Sequence, residues 1–426
     1  MISEDFFQFI WQYSLYDSSN LISAAGESVI VQYPGKLNKD SGPDFEEAKI
    51  RIGTTLLVGN VELHLKTSDW FKHGHQHNKS YENIILHVVL ENDLPITENE
   101  THIPLIELNS HIPKHILQNY STLQYTLRTI PCAQQLPQVS SLTKEAWLSR
   151  LLAERWEMKF GDWSELLRQN AGDWRVLLYW RLAANFGFKT NASPFLALAQ
   201  SLPVNILARH HKNLFQIEAL LFGQAGMLDQ DFKEEYPFRL KQEYEYLSKK
   251  YKLKPIPSHL WKFMRMRPAN FPSLRIAQFA ALIHQSLHLF TQIISSSSLK
   301  ELSALFEVTA SDYWDTHFRF EEEHSKNSPK NLGADSVKNI IINTIAPIRF
   351  MYSSHSGLGN HCETSMQLIE QLPAEKNNIT AEWAEVNWIP ENAAQSQALI
   401  QLFNHYCQEK KCLSCSIGHS IIRSRP

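Results

Sequence analysis

The chain has 426 residues, 43% of them hydrophobic and 20% charged, which excludes wholesale disorder and leaves room for two or three domains with sizeable cores. A formal net charge of −3 excludes a uniformly basic protein that coats nucleic acid, while leaving room for a local basic surface. The opening residues Met1-Ile-Ser-Glu-Asp5 carry no basic segment followed by an apolar core, so no secretory signal is read there.

In chain order, a helix is expected over residues 4–16. Residues 46–52 alternate into a strand, Gly53-Thr54-Thr55 turns, and residues 56–65 alternate back, the pattern of a hairpin. With the turn centred near Thr54, Asp44 lies across from His64. Strand side chains change face at every residue, so Glu62, His64 and Lys66 share one face. Two carboxylates, an imidazole and an ammonium then converge at one end of the hairpin. Adjacent carboxylates repel unless a proton or cation sits between them, and a hard divalent ion, Mg2+ or Mn2+, suits that place. The apolar run 84–90, with His87 inside it, reads as the next, largely buried strand. In the loop before it, His73, His75 and His77 alternate around Gly74. With Glu62, His64 and His87 they offer a second arrangement, a zinc or manganese site built on imidazoles. His77 reads as an ordinary polar loop residue.

A helix is expected near residues 113–123, and residues 131–142, with Pro131, Pro137 and Ser140-Ser141, read as a linker. From Thr143 onward the periodicity is helical, as in Trp147, Leu151, Leu152 and Trp156. Ile276, Phe279, Ile283, Leu287, Phe290 and Ile294 mark one long amphipathic helix. The glutamines and histidines within that uncharged stretch argue against a membrane span. Further helices are expected near 335–350 and 393–406. Between Arg239 and Arg275 stand ten Lys or Arg and two Glu, interleaved with aromatics. Basic groups neutralise phosphates and aromatics stack on unpaired bases, which makes Arg265, Arg267 and Arg275 candidates for nucleic-acid contact.

Cys407, Cys412 and Cys415 put three thiols within nine residues. Such clustering without an export signal favours a reducing compartment and a metal over disulfides, either zinc or an iron–sulfur cluster. A fourth ligand must come from elsewhere, with Cys132 the leading candidate and Cys362 or His419 the alternatives.

Pro43-Asp44 and Glu62-Leu63-His64 resemble the signature of the PD-(D/E)xK nuclease superfamily. There Pro-Asp opens the second core strand and Glu-x-Lys lies on the third, so His64 stands where Lys is expected. The resemblance implies a restriction-endonuclease-like α-β-β-β core, divalent-ion binding by Asp44 and Glu62, and assistance from His64 or Lys66 in phosphodiester hydrolysis. Nearly the whole chain also resembles a bacterial family of unknown function, domain-of-unknown-function family 2851. That likeness is carried by Ser41-Gly-Pro-Asp-Phe45, Gly59-Asn-Val-Glu-Leu-His64, Asp69-Trp70, His73-Gly-His75, Tyr81, Ile85-Leu-His-Val-Val89, Pro272-Ser-Leu-Arg275 and the terminal cysteines. Some nucleases of the superfamily carry an iron–sulfur staple of one remote and three clustered cysteines, similar to Cys132 with Cys407, Cys412 and Cys415.

The resulting expectation is an α+β, cytoplasmic, non-membrane protein. A nuclease-like core over 1–130 and a linker over 131–142 precede a larger helical domain over 143–390. A C-terminal helix with a cysteine segment over 391–426 completes the chain. The expected activity is metal-dependent cleavage of DNA or RNA. The alternatives are a non-catalytic nucleic-acid binder on a decayed nuclease core, and a zinc-type hydrolase using His73, His75 and His87.

Overall fold

The computed structural model describes residues 2–94, 103–286, 288–357 and 360–425. The chain divides into two compact units. The first comprises Met1–Arg150, Ala381–Trp388 and Leu399–Pro426, and the second Leu151–Thr380 and Ile389–Ala398. The sheet belongs to the first unit and the second is mainly helical, so the architecture is α+β, a β-sheet core followed by a large helical region.

Helix α1 (Glu4–Gln12) begins at Ser3, whose hydroxyl accepts the Phe6 amide at 3.3 Å, and carries Glu4 and Asp5 in its first turn. It buries Phe6, Phe7, Phe9, Ile10 and Trp11. It stops short of the expected residue 16 because Ser14 takes a left-handed φ of 51°.

Six strands form one sheet: β1 (Val29–Tyr33), β2 (Lys36–Leu37), β3 (Phe45–Ile52), β4 (Thr55–Lys66), β5 (Ile84–Glu91) and β6 (Leu105–Glu107). The order is β1-β3-β4-β5-β6, with β2 also paired to β3. The β1, β3 and β4 pairings are antiparallel, whereas β4, β5 and β6 run parallel. Parallel neighbours require a crossover. The β4–β5 crossover is the segment carrying His73 and His75, and it opens with the short helix α2 (Asp69–Lys72). Strand β5 is buried on both faces through Leu86–Val89, as suits a parallel inner strand.

The hairpin turns on Gly53-Thr54, with Ile52 opposite Thr55 and Gly53 at φ 54°. A bulge between Phe45 and Ala48, with Glu47 at φ 58°, then slips the register so that Phe45 faces Val61. Asp44 is therefore next to Glu62 rather than across from His64. Gly59 is required where β4 meets the start of β5. A Cβ there would lie 2.5 Å from the Ile85 side chain and 2.9 Å from the Asn83 carbonyl oxygen.

In the second unit, Trp156, Trp163, Phe186, Phe195, Phe222, Phe279 and Trp314 are almost fully buried. Helices Leu214–Gln224 and Glu235–Tyr251 pack closely because Gly223 lies against the Tyr244 ring, whose hydroxyl donates to Gln224 Oε1 at 3.1 Å. The single long helix expected over 276–294 is instead two, Pro272–Gln285 and Leu289–Ser295. Leu287, part of that expectation, lies outside the described residues. Among the described residues, no helix is long and apolar enough to cross a membrane.

Candidate metal centre

The hairpin and the crossover meet over one face of the sheet. The Asp44 amide donates to Glu62 Oε2 at 3.1 Å, and the Leu63 amide donates to Asp44 Oδ2 at 2.9 Å. Gln8 of α1 donates from Nε2 to Asp44 Oδ1 at 2.8 Å. Tyr81 holds the loop before Asp44, its hydroxyl donating to the Gly42 carbonyl at 3.1 Å. Burial, with Asp44 beside it, pushes the Glu62 carboxyl up to about 8. Burial likewise raises Asp44, to about 6, against the opposing hydrogen bond from Leu63.

His64 follows two residues after Glu62 on the same face and is 1% exposed. Its Nδ1 meets His87 Nε2 on β5 at 2.9 Å, and its Nε2 meets His73 Nδ1 at 3.1 Å. One ring nitrogen from each of His64, His73 and His75 lies within 4.8 Å of the others. His64 is buried, His75 half-buried and His73 exposed, so the cluster opens to solvent on its crossover side. The Glu62 Oε1 atom is 3.3 Å from His75 Nε2 and 3.7 Å from His64 Nε2. Burial and neighbouring imidazoles drive His64 down to about 2, and burial drives His87 to about 3. His75 is also lowered, first by burial and then by His73. These are accordingly contacts of neutral imidazoles with a carboxyl group, not ion pairs. Trp70 and Tyr81 wall the cluster, the latter with its ring centroid 4.0 Å from that of His75.

The arrangement can hold a metal ion through three imidazole nitrogens. Among the described residues, this is the group with metal-ligand proximity, and it contains neither Asp44 nor Glu62. The group with metal-ligand proximity is thus nitrogen-rich, with the two carboxyls expected to hold Mg2+ or Mn2+ beside it. Lys66 does not join it. Its ammonium lies 3.7 Å from Glu91 and 4.0 Å from Asp93, and it forms no ion pair with Glu62. His77 is exposed, and His87 supports His64 from behind.

The arginine group is not one surface. Arg265 and Arg267 are exposed, but Arg275 is buried and donates to Gln278 Oε1, Asn270 Oδ1 and Ser336 Oγ at 2.7–3.1 Å. Its guanidinium also stacks over Phe188. Arg275 therefore organises the helical core and is not placed to grip a polyanion. Cys132, Cys407, Cys412 and Cys415 are all buried in the first unit, whereas Cys362 belongs to the second.

A family model described as "Protein of unknown function (DUF2851)" matches residues 4–378. The chain belongs to the DUF2851 family. No curated protein and no solved structure matches it. The DUF2851 match takes in Asp44, Glu62, the four clustered histidines and Cys132, and ends before Cys407.

The DUF2851 centre includes residues that strand alternation alone does not identify. Gln8 fixes Asp44 from α1, and its only sequence signal is a lone polar residue within an apolar helical run. Trp70 is buried against the histidines from the short helix after β4.

The raised Glu62 carboxyl carries a pH signature in metal-free protein. Its folded pKa of about 8 exceeds the unfolded value of 4.5, so the folded state retains a proton that the unfolded state releases. Stability from this group is complete below about pH 4.5 and declines as pH rises toward 8. Glu62→Gln lacks that loss. The variant should gain on the parent by on the order of 2 kcal/mol between pH 5 and pH 8. Urea midpoints of the two metal-free proteins measure this, and an equal gap at both pH values would show that Glu62 is not raised. His64 and His87, common to both proteins, act oppositely and weaken the fold as pH falls below their unfolded range.

Proposed function

We propose that this protein is a metal-dependent hydrolase whose ion is held by His64, His73 and His75. The observation that carries the reading is the convergence of three imidazole nitrogens within 4.8 Å, with Glu62 Oε1 3.3 Å from His75. The donor set fits such an ion. Burial keeps His64 and His75 neutral, as ligation requires, and His75 Nε2 is buried without a hydrogen-bond partner. Nitrogen donors favour zinc or another first-row transition metal over magnesium. When bound, the ion supplies Lewis acidity and makes a bound water more acidic.

The protein's own groups complete the chemistry. Glu62 in its carboxylate form accepts the proton of the attacking water; in the metal-free protein burial and Asp44 favour its protonated form, and a cation held by the imidazoles would reverse that preference. Asp44, fixed by Gln8 and the Leu63 amide, orients Glu62 through its own backbone N–H. His87 sets the orientation of the His64 ring. The exposed side at His73 admits substrate.

A phosphodiester is the substrate class we favour. Support comes from Asp44 at the start of β3, Glu62 and His64 on β4, and a parallel β5 reached by a crossover. This order parallels the core that the PD-(D/E)xK resemblance implies. A second reading, hydrolysis of a different ester, draws on the imidazole-only ligand set, which the nuclease signature does not contain. The test is hydrolysis of bis(p-nitrophenyl) phosphate, DNA, RNA and a carboxylic ester by chelator-treated protein resupplied with zinc, manganese or magnesium. Cleavage of the phosphodiesters with zinc or manganese is expected. Cleavage of the ester alone moves the assignment to the second reading, and no turnover by metal-loaded protein removes both.

A further inference from the structure

We infer that Cys132, Cys407, Cys412 and Cys415 form a four-thiolate metal centre that fastens the C-terminal segment to the sheet-bearing unit. The four residues come from opposite ends of the chain, and each sits on a tight local turn. Cys132 accepts the Gln135 and Leu136 amides at its carbonyl, Cys407 closes a π-turn (Phe403–Cys407), Cys412 opens a 3-10 turn, and Cys415 precedes helix Ser416–Arg423. All four are at most 8% exposed and face one cavity of about 20 Å3. None is in a disulfide.

Burial alone would be consistent with inert thiols packed as small apolar groups. Three observations favour ligands. The thiols sense one another electrostatically: Cys407 is raised by burial and then by Cys132, Cys415 and Cys412. Next, hydrogen-bond donors converge on a sulfur. The Gly418 and Ile417 amides act on Cys415, and the Trp147 indole lies beside it. The Trp147 Nε1 atom is buried yet short of a completed hydrogen bond, on a residue only 5% exposed. Donors aimed at sulfur stabilise thiolates at metal centres. Finally, the turn is closed as tightly as the chain permits. A Cβ on Gly418 would lie 2.1 Å from the Cys412 carbonyl oxygen, so only glycine lets Cys412 and Cys415 share the cavity.

Around this point the two segments are already clasped. Lys410, at a left-handed φ of 51°, donates from Nζ to the carbonyls of Gln124 and Thr126 at 2.6 and 2.9 Å. Asn119 donates to the carbonyls of Ile421 and Ser424 at 3.0 Å. In tetrahedral zinc with bonds of about 2.3 Å, sulfurs stand about 3.8 Å apart. Among the described residues no three sulfurs all lie within 4.8 Å of one another. An iron–sulfur cluster, in which each sulfur binds its own iron, would require the cavity of about 20 Å3 to widen. Zinc would require the sulfurs to draw together.

The experiment uses full-length protein carrying His73→Ala and His75→Ala, purified anaerobically, so that retained metal cannot be credited to the imidazoles. Metal and sulfide analysis, an absorption spectrum and native thiol titration are the readouts. Retention of about four iron with sulfide, or about one zinc, per chain supports the centre and identifies its type. Four of the five cysteines should resist modification until the metal is removed, leaving Cys362 reactive. Cys132→Ser should lower metal content at least tenfold, while Cys362→Ser should not change it. Metal at trace level in the anaerobic protein overturns the inference whether or not Cys132→Ser folds. So does metal content that Cys132→Ser leaves unchanged.

Discussion

Glu62→Gln is expected to lower metal-dependent hydrolysis by about 10²–10⁴-fold while leaving metal binding intact. Glutamine fills the same space and can still accept the Asp44 amide, so the hairpin register survives. It cannot take a proton from water. The three imidazoles that carry the ion are untouched. The decisive pattern is therefore a fallen kcat with unchanged metal content. A variant that also loses its metal would make Glu62 a ligand, and one with parental kcat would remove it from the reaction.

The second large effect concerns the ion itself. His73→Ala with His75→Ala should weaken zinc binding by more than about 100-fold, since two of three donors go. Zinc supplied at a hundredfold excess over the histidine centre's dissociation constant should stabilise the parent by about 3 kcal/mol more than the variant, any gain from the four cysteines being common to both. The substitutions fall in the crossover, where His73 is exposed and His75 half-buried, so the metal-free fold should persist. Chemical denaturation with and without zinc measures both numbers. Equal zinc stabilisation of the two proteins would place the ion elsewhere.

How much of this was legible beforehand follows from the range of the interactions involved. The hairpin was readable because Gly53 and strict alternation are local, and the pairing of Asp44 with the Glu62 end follows from them. The register was read two positions off, as Asp44 opposite His64. Closure of the turn with Ile52 opposite Thr55 accounts for one position and the bulge for the other, and the bulge rests on Glu47 at φ 58°, a conformation that glutamate does not advertise. Strand β5 announced itself as an apolar run, and Gly59 becomes intelligible only against Ile85 in the folded sheet. His73 and His75 could be flagged by type, but their meeting with His64 depends on the path of the crossover, which local pattern does not encode. Arg275 shows the reverse problem. In sequence it ends a basic stretch, yet folding buries it among Asn270, Gln278, Ser336 and Phe188, where polar partners meet its two terminal nitrogens and an aromatic face covers the guanidinium.

The most direct test of the histidine centre is anomalous scattering from a crystal of the protein equilibrated with zinc. A strong peak about 2.0–2.1 Å from one nitrogen each of His64, His73 and His75, separate from any at the four cysteines, is the predicted result. If those nitrogens stay bonded only to one another, with zinc absent from the site at saturating concentration, the metal-centre account is wrong.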